Sequence, residues 1–216
     1  MNKELSYIDK LLNGAEVEWK KLGDVAEFLK GKGLSKKEII DNGENLCIHY
    51  GELFTQYPTI INRIKSSTNR PLANSVLSKM YDVLMPTSDV TPNGLATASC
   101  VLEDNVVLGG DILIIRTSII DGRFLSYFIR NNKNKILQMV SGSTVFHIYA
   151  KDLAKFQIPI PPLSVQKEIV RILDKFTELT TELTAELAAR KKQYEYYRGK
   201  LLNFNDICNG GGGITY

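Results

Sequence analysis

The clearest pattern of apolar and polar positions lies near the end of the chain. Apolar residues there recur in alternating steps of three and four, the spacing of a heptad stripe on one face of a helix. Pro161 and Pro162 cannot continue a helix and Ser164 is a good N-cap, so the pattern predicts a helix that begins at residue 164. The stripe comprises Ile169, Ile172, Phe176, Leu179 and Leu183, slips at Leu187, and resumes at Tyr194, Tyr197, Leu201 and Phe204.

Two interpretations of this stripe stay open. Most amphipathic helices pack their apolar face on the core of their own chain. The alternative is a partner helix from another molecule, and the length of the helix favours it. About forty helical residues span roughly 60 Å, which is longer than a small domain needs.

The rest of the chain predicts a mixed α/β (α+β) fold. Aliphatic and β-branched runs at 46–50, 81–85 and 111–116 end at Gly or Pro or follow a Gly pair, which is typical of strands. The segment 62–77 is polar and punctuated, and it predicts an exposed loop. The expected organisation is a mixed-sheet domain over 1–163, a long coiled-coil-forming helix over 164–204 and a flexible Gly-rich tail over 205–216.

Composition narrows the class of protein. The chain has 216 residues, 44% of them hydrophobic and 24% charged, with a formal net charge of +3. Such a mild excess of positive charge neither demands nor excludes a nucleic-acid partner. No apolar run is long enough to cross a membrane, and the first residues lack the apolar core expected of a signal peptide. Cys47, Cys100 and Cys208 are widely spaced and are expected to be reduced thiols in a cytoplasmic protein.

A search for catalytic motifs returns none. The chain lacks a nucleotide P-loop, a dinucleotide-binding glycine motif, a zinc-binding helix motif and a nucleophile elbow. Distant residues could still build an active site, so an enzyme stays an alternative. His49 and His147 lie in apolar strands and are expected to be structural, although the polar turn 141–144 makes DNA contact an alternative for His147.

A basic cluster precedes the first long strand. Lys30, Lys32, Lys36 and Lys37 fall within eight residues, beside Gly31 and Gly33. Such a cluster is either a solvated face or an anion site, because glycine lets a backbone approach a phosphate closely.

Several motifs occur in a fixed order along the chain. They are Trp19–Val25, Tyr50–Leu53, Gly142-Ser143-Thr144, Ile158–Leu163 with Gln166, and Tyr197-Arg198 at the end of the long helix. This order resembles the specificity subunit of type I restriction–modification enzymes over nearly the whole chain, to about Phe204. The Pro-Pro-Leu…Gln start of the long helix is its most specific part.

The resemblance implies a non-catalytic DNA-recognition role. A target recognition domain of this family reads one half of a split DNA sequence, and its helices act as a spacer and dock methyltransferase subunits. Family subunits usually carry two such units and this chain carries one, so it resembles a half-length form. The implied partners are double-stranded DNA, methyltransferase subunits and the restriction subunit, without a membrane. No cofactor is expected in this chain; S-adenosylmethionine, ATP and Mg²⁺ are expected on the partner subunits.

Polar residues on the expected loops are the candidates for DNA contact. Lys and Arg side chains hold phosphates, and amides and hydroxyls read base edges. The phosphate candidates are Lys30, Lys32, Lys36, Lys37, Arg63, Lys65 and Arg70; the base candidates are Asn69, Asn74, Thr87, Ser88, Ser143, Thr144 and His147.

The apolar stripe is the candidate for dimerisation. The family's two helices run antiparallel, so two identical chains would form a closed two-fold dimer that reads an inverted repeat. The predicted contacts are Ile169, Ile172, Phe176, Leu179, Leu183, Leu187, Tyr194, Tyr197 and Leu201. The alternatives are a catalytic methyltransferase or nuclease domain with a dimerising tail, and a coiled-coil protein without DNA binding.

Overall fold

Short strands separated by turns make up much of the first part of the chain. The computed structural model describes residues 6–203, and within this range the strands form four small sheets. The predicted mixed α/β fold is confirmed. The strands are β1 (Glu18–Lys21), β2 (Glu27–Lys30), β3 (Asn45–Ile48), β4 (Ile60–Ile61), β5 (Ser66–Thr68), β6 (Val83–Pro86), β7 (Ser88–Asp89), β8 (Ser99–Val101), β9 (Val107–Leu108), β10 (Ile112–Arg116), β11 (Ser141–Gly142), β12 (Phe146–His147) and β13 (Gln157–Ile160).

Most helices are short, and one is long. Single 3₁₀ turns occur at Lys36–Glu38, Leu72–Asn74 and Pro92–Ala96. The long C-terminal helix confirms the prediction from the heptad stripe. The α-helices are α1 (Tyr7–Leu12), α2 (Leu22–Val25), α3 (Glu52–Thr55), α4 (Gly122–Asn131), α5 (Lys133–Leu137), α6 (Ala150–Leu153) and α7 (Leu163–Leu202).

The central sheet has five strands in the order β2-β10-β6-β8-β4. Its pairs are antiparallel except for the parallel pair of β4 and β8. Side chains alternate across β10, so Leu113 and Ile115 join one hydrophobic cluster while Ile112 and Ile114 join another. Because both faces are covered, the strand reads as an unbroken apolar run.

The expectation of an exposed loop over 62–77 is wrong in part. Residues Ser66–Thr68 form β5, which pairs with β3 in a second sheet. Thr68 is buried, and the Ser67 hydroxyl donates to the carbonyl of Ile40 at 2.8 Å. Because such hydroxyls find partners, a polar segment can enter a sheet at little cost.

The long helix begins one residue earlier than predicted. The backbone amides of Val165 and Gln166 both donate to the carbonyl of Pro162, at 2.9 and 3.0 Å. Ser164 therefore lies inside the first turn, and its predicted role as N-cap is wrong. Pro162 precedes the helix, where a backbone N–H would have no partner within the helix, so its missing N–H costs nothing. Its carbonyl accepts the first helical hydrogen bonds, and Ser164 is not needed as a cap.

Contacts divide the chain into two units, Met1–Val170 and Arg171–Tyr216. The first two turns of α7 thus belong to the globular unit. The remainder of α7, through Leu202, belongs to the second unit. The predicted stripe residue Phe204 and the predicted tail over 205–216 lie outside the described residues, as does Cys208.

Candidate DNA interface

The basic cluster lies at residues 30–37, which we call the basic turn. Its backbone is hydrogen-bonded to strands β10 and β9, which belong to two different sheets. The amide of Gly31 donates to Ile112 and that of Lys32 to Leu108, at 2.9 and 3.1 Å. A Cβ on Gly31 would lie only 2.0 Å from the carbonyl oxygen of Gly109. Glycine at position 31 therefore serves the close approach of two protein backbones, and its amide is not available to a phosphate.

The lysine side chains of this turn are free to act at the surface. Lys30, Lys32, Lys36 and Lys37 are all exposed. A capping box holds the 3₁₀ turn that carries the last two, since Glu38 accepts from the amide and hydroxyl of Ser35 at 2.8 Å each. The hydrogen bond from the Ser35 backbone is the largest cause of the lowered pKa of Glu38.

Three predicted residues line one open cleft of about 560 Å³ beside β5. They are Asn69, Arg70 and Asn74, and Glu38 also lines the cleft. Nη1 of Arg70 lies 3.8 Å from a carboxylate oxygen of Glu38. Within residues 6–203 this shielded nitrogen has no hydrogen-bond acceptor. A ligand oxygen in the cleft could supply one.

Arg63 and Lys65 lie in the segment just before β5. Both are exposed. The ammonium of Lys65 donates to the carbonyl of Gln56 at 3.3 Å, and its backbone amide donates to the Tyr57 hydroxyl at 3.1 Å. Lys65 is thus partly engaged by its own chain.

A second group of candidates shares a small three-stranded sheet. His147 in β12 pairs with Ser88 in β7 on one side and with Ser141 in β11 on the other. Ser143 and Thr144 occupy the exposed turn between β11 and β12. Strand pairing therefore brings together residues that are more than fifty positions apart in sequence. The backbone of Thr87 adjoins this sheet, since its amide donates to Asp111 and its carbonyl accepts from Ile148.

The turn of this sheet explains the glycine of the Gly-Ser-Thr motif. Gly142 has a φ of +126°, and a Cβ there would lie 2.1 Å from the carbonyl oxygen of Val145. Only glycine fits this conformation without strain. The motif thus folds a tight hairpin that presents two hydroxyl side chains.

Two neighbours of this hairpin were missed by sequence reasoning. The ring of Tyr149 stacks on His147 at 6.1 Å, and Nζ of Lys151 lies 5.6 Å from the centre of the Tyr149 ring. Tyr149 is exposed. The available signal was an aromatic residue after a short strand with a lysine two positions later.

His49 belongs to a buried network, as its structural interpretation predicted. Its amide donates to Glu52 at 2.7 Å, and its Nδ1 accepts from the amide of Gly51 at 3.1 Å. The hydroxyl of Ser66 donates to the same carboxylate. Burial lowers the pKa of His49. The Tyr50–Leu53 motif therefore links the end of β3 to β5 through the carboxylate of Glu52.

Two of the three cysteines lie in the described part of the chain. Cys47 and Cys100 are both buried thiols. Burial raises the pKa of Cys47 to about 12, which keeps its thiol protonated and unreactive. Among residues 6–203, no group of three or more His, Cys, Asp or Glu side chains could hold a metal ion.

The start of α7 is anchored by Gln166. Its Oε1 accepts from the amide of Asp121 and its Nε2 donates to the carbonyl of Pro161, each at 2.8 Å. Asp121 in turn caps α4 by accepting from the amide of Arg123 at 2.9 Å. The Pro-Pro-Leu…Gln motif thus attaches the start of α7 to the start of α4.

The predicted dimerisation residues divide into two sets. Ile169 packs against the core of the globular unit, and Ile172 is half-buried. Phe176 is 63% exposed and Leu183 64%. The other exposed members are Leu179, Leu187, Tyr194, Tyr197 and Leu201. An apolar stripe of this length without a cover is unusual for a monomer.

Comparison with known proteins identifies the class. A family model described as the type I restriction modification DNA specificity domain matches residues 15–190. The match spans the mixed-sheet unit and most of α7. The chain therefore belongs to this family, which confirms the resemblance drawn from the motifs.

Curated relatives agree with this family. The chain is 32% identical over 212 residues to the EcoR124I/EcoR124II specificity subunit of Escherichia coli, covering 94% of this chain and 48% of the relative. It is 30% identical over 215 residues to a putative specificity subunit of Haemophilus influenzae, covering 96% and 51%. The chain spans about half the length of the curated relatives it matches.

Solved structures share the fold. A chain from a structure of the type I R-M system aligns with a TM-score of 0.67 at 18% identity, over 91% of this chain and 50% of that one. The S subunit from M. genitalium aligns with a TM-score of 0.57 at 16% identity, over 90% and 48%. At such identities the likeness supports the fold alone.

Proposed function

We propose that this chain is a DNA-sequence specificity chain of a type I restriction–modification system and that it carries no catalytic activity of its own. The observation that carries the proposal is the family match over residues 15–190. The named relatives are specificity subunits. The proposed division is a recognition domain over 1–163, a spacer and docking helix over 164–204 and a tail over 205–216.

In this proposal the recognition domain reads one half-site. The exposed lysines of the basic turn hold phosphates, and Arg63 and Lys65 add to them. Asn69 and Asn74 would meet base edges, since amide groups pair bidentately with adenine, and Arg70 would hold a phosphate. The Nη1 donor of Arg70, which has no hydrogen-bond acceptor among residues 6–203, supports a ligand contact here. The hairpin with Ser143, Thr144 and His147 supplies a second contact, together with Thr87 and Ser88.

Removing phosphate contacts tests this interface. The double variant Lys32→Ala/Lys36→Ala should weaken binding to all DNA sequences and reduce the slope of log affinity against log salt by about 2, because each phosphate contact contributes roughly one unit. The control is Lys133→Ala/Lys135→Ala, which removes the same charge from exposed positions on α5. Equal affinities for the two variants would show that the basic turn is only a solvated surface.

Two chains would pair through the long helix and read an inverted repeat with a gap of unspecified sequence. The helix would also dock methyltransferase subunits, with the restriction subunit joining that complex. S-adenosylmethionine, ATP and Mg²⁺ would act on those partners. A cytoplasmic location fits this role.

Selection of bound sequences from a random DNA pool, with the methyltransferase subunit present, tests the whole proposal. An inverted repeat with fixed spacing is the expected result. Enrichment of a single unrepeated site would contradict the dimer, and no enrichment would contradict sequence recognition. Incubation of the pure chain with DNA, S-adenosylmethionine and Mg²⁺ should give no methylation or cleavage, which separates this role from the enzymatic alternative.

A further inference from the structure

Two exposed valines lie at one end of the small sheet formed by β11, β12 and β7. Val145 directly precedes β12 and is 43% exposed, and Val90 directly follows β7 and is 70% exposed. Phe146 of β12 pairs with Asp89 of β7, so both valines lie one position beyond this pair, at the same end of the sheet. Three exposed hydroxyl residues join them in what we call the hairpin tip: Val90, Thr91, Ser143, Thr144 and Val145.

Neither valine contributes to the packing of the fold. Among the described residues, the three hydrophobic clusters include neither Val90 nor Val145. Along the same strand, Phe146 packs against the core and Ile148 is buried. Single exposed aliphatic side chains are common on protein surfaces, but here two β-branched side chains share one tip. The fold therefore gives no reason for valine at these two positions.

The hairpin tip is held in a fixed conformation by its own chain. The carboxylate of Asp89 accepts from the amide of Val90 at 2.7 Å and from the hydroxyl of Thr91 at 2.8 Å. On the other side, the tight turn brings Gly142 against the carbonyl of Val145. Because both valines are held on ordered loops, little conformational entropy is lost when they contact a ligand.

The chemistry of the hairpin tip suits a groove of DNA better than the phosphate backbone. The tip has no Lys or Arg, which are the residues that hold phosphates. The neighbouring carboxylate of Asp89 already accepts two hydrogen bonds from the tip. The major groove, about 12 Å wide, admits a two-stranded β-ribbon. An uncharged tip of this kind can therefore approach the base edges.

Valine has only one apolar partner on the base edges of the major groove. The four base pairs present hydrogen-bond donors and acceptors there, and thymine adds its C5 methyl group. Valine has no hydrogen-bonding side-chain group, so contact with a guanine or cytosine edge would take polar atoms out of water without compensation. Contact with a thymine methyl group removes apolar surface from water on both sides, which is favourable.

We propose that Val90 and Val145 contact thymine methyl groups in the major groove, so that the half-site of this chain contains an A·T pair at the hairpin tip. This rests on the DNA recognition of the proposed function and adds two residues that determine its sequence preference. Ser143 and Thr144 of the same tip then meet neighbouring base edges.

Replacing thymine with deoxyuridine tests the contact, because it removes the C5 methyl group and leaves base pairing unchanged. In the sequence enriched from a random pool, each thymine of the half-site is replaced singly, and binding is measured with the full chain and the methyltransferase subunit. At least one replacement should weaken binding by wild type about fourfold, the size expected for one buried methyl group. The same replacement should leave the affinity of Val90→Ala/Val145→Ala unchanged, because this variant has lost the methyl contact.

Ile119→Ala is the matched control. Ile119 is 46% exposed but lines the cleft at the start of α7, so this variant should respond to deoxyuridine as wild type does. A half-site without thymine, wild-type binding that tolerates every replacement, or an equal loss in the double variant would overturn the inference and leave sequence recognition intact.

Two other outcomes separate the remaining explanations. A double variant that no longer binds the methyltransferase subunit but still responds to deoxyuridine would assign the hairpin tip to a protein contact and overturn the inference. Failure of the wild-type chain to enrich any DNA sequence would contradict the proposed function and this inference together.

Discussion

The first two turns of α7 and the rest of the same helix differ in where their apolar side chains lie. Both carry apolar residues at helical spacing. In the first two turns, Val165, Gln166 and Val170 are buried, and Ile169 packs against the core of the globular unit. From Phe176 to Leu202, the stripe stays exposed. A single helical pattern therefore contributes first to the core and then to an exposed apolar surface.

The largest effect should separate these two parts of the helix. Val170→Asp places a carboxylate in the core and should lower the free energy of unfolding by about 3 kcal/mol or more. Leu183→Asp adds the same charge at an exposed position, so it should change the unfolding free energy by less than about 0.5 kcal/mol. Urea unfolding at a concentration where the chains are monomeric checks this. A similar loss in both variants would show that the stripe around Leu183 is covered within the monomer.

Loss of the Gln166 hydrogen bonds should give the next largest change in stability. Gln166→Ala leaves the partly buried amide of Asp121 and the buried carbonyl of Pro161 without these partners, so it should destabilise the chain by roughly 2 kcal/mol. Gln193→Ala is the matched control, since Gln193 is exposed on the same helix. Its effect should stay within about 0.5 kcal/mol. Equal unfolding midpoints for the two variants would contradict the stabilising role of the Gln166 hydrogen bonds.

The smallest expected effect is a pH dependence of the unfolding free energy. It comes from Asp121, whose amide is hydrogen-bonded to Gln166 in the first turns of α7. Burial alone would raise the pKa of Asp121, but hydrogen bonds from the side chain and backbone of Arg123 outweigh it and lower the pKa. A lowered pKa in the folded state gives stability that is present above the ordinary value of 3.8 and is lost as the pH falls through the folded value.

Asp121→Asn removes this titration. Wild type should therefore lose more unfolding free energy than Asp121→Asn when the pH falls below 3.8. Guanidinium unfolding over this range measures the difference. Parallel pH profiles for the two proteins would contradict a stabilising role of the ionised carboxylate.

The contrast also shows what sequence patterns can reveal. The long helix follows from a run of apolar spacings and two prolines, all of which are local signals. The strand β10 follows from consecutive aliphatic residues at 112–115. In both cases the neighbouring residues alone carry the information.

Features that depend on distant partners could not be predicted in this way. Strand β5 is polar, and only its pairing with β3 makes its burial possible. Gln166 is recognisable as part of a motif, but its role depends on Asp121, which lies 45 positions earlier. Likewise, only the pairing of β7 with β12 brings Ser88 beside His147.

The central claim is that the exposed stripe of α7 joins two copies of this chain. Sedimentation equilibrium of the full chain at micromolar concentration tests it most directly, with Leu183→Asp on the stripe and Thr181→Asp off it as a matched pair. The account predicts a dimer for wild type and for Thr181→Asp, and a monomer for Leu183→Asp. A wild-type chain that sediments only as a monomer, or a Leu183→Asp variant that dimerises as well as wild type, would contradict it.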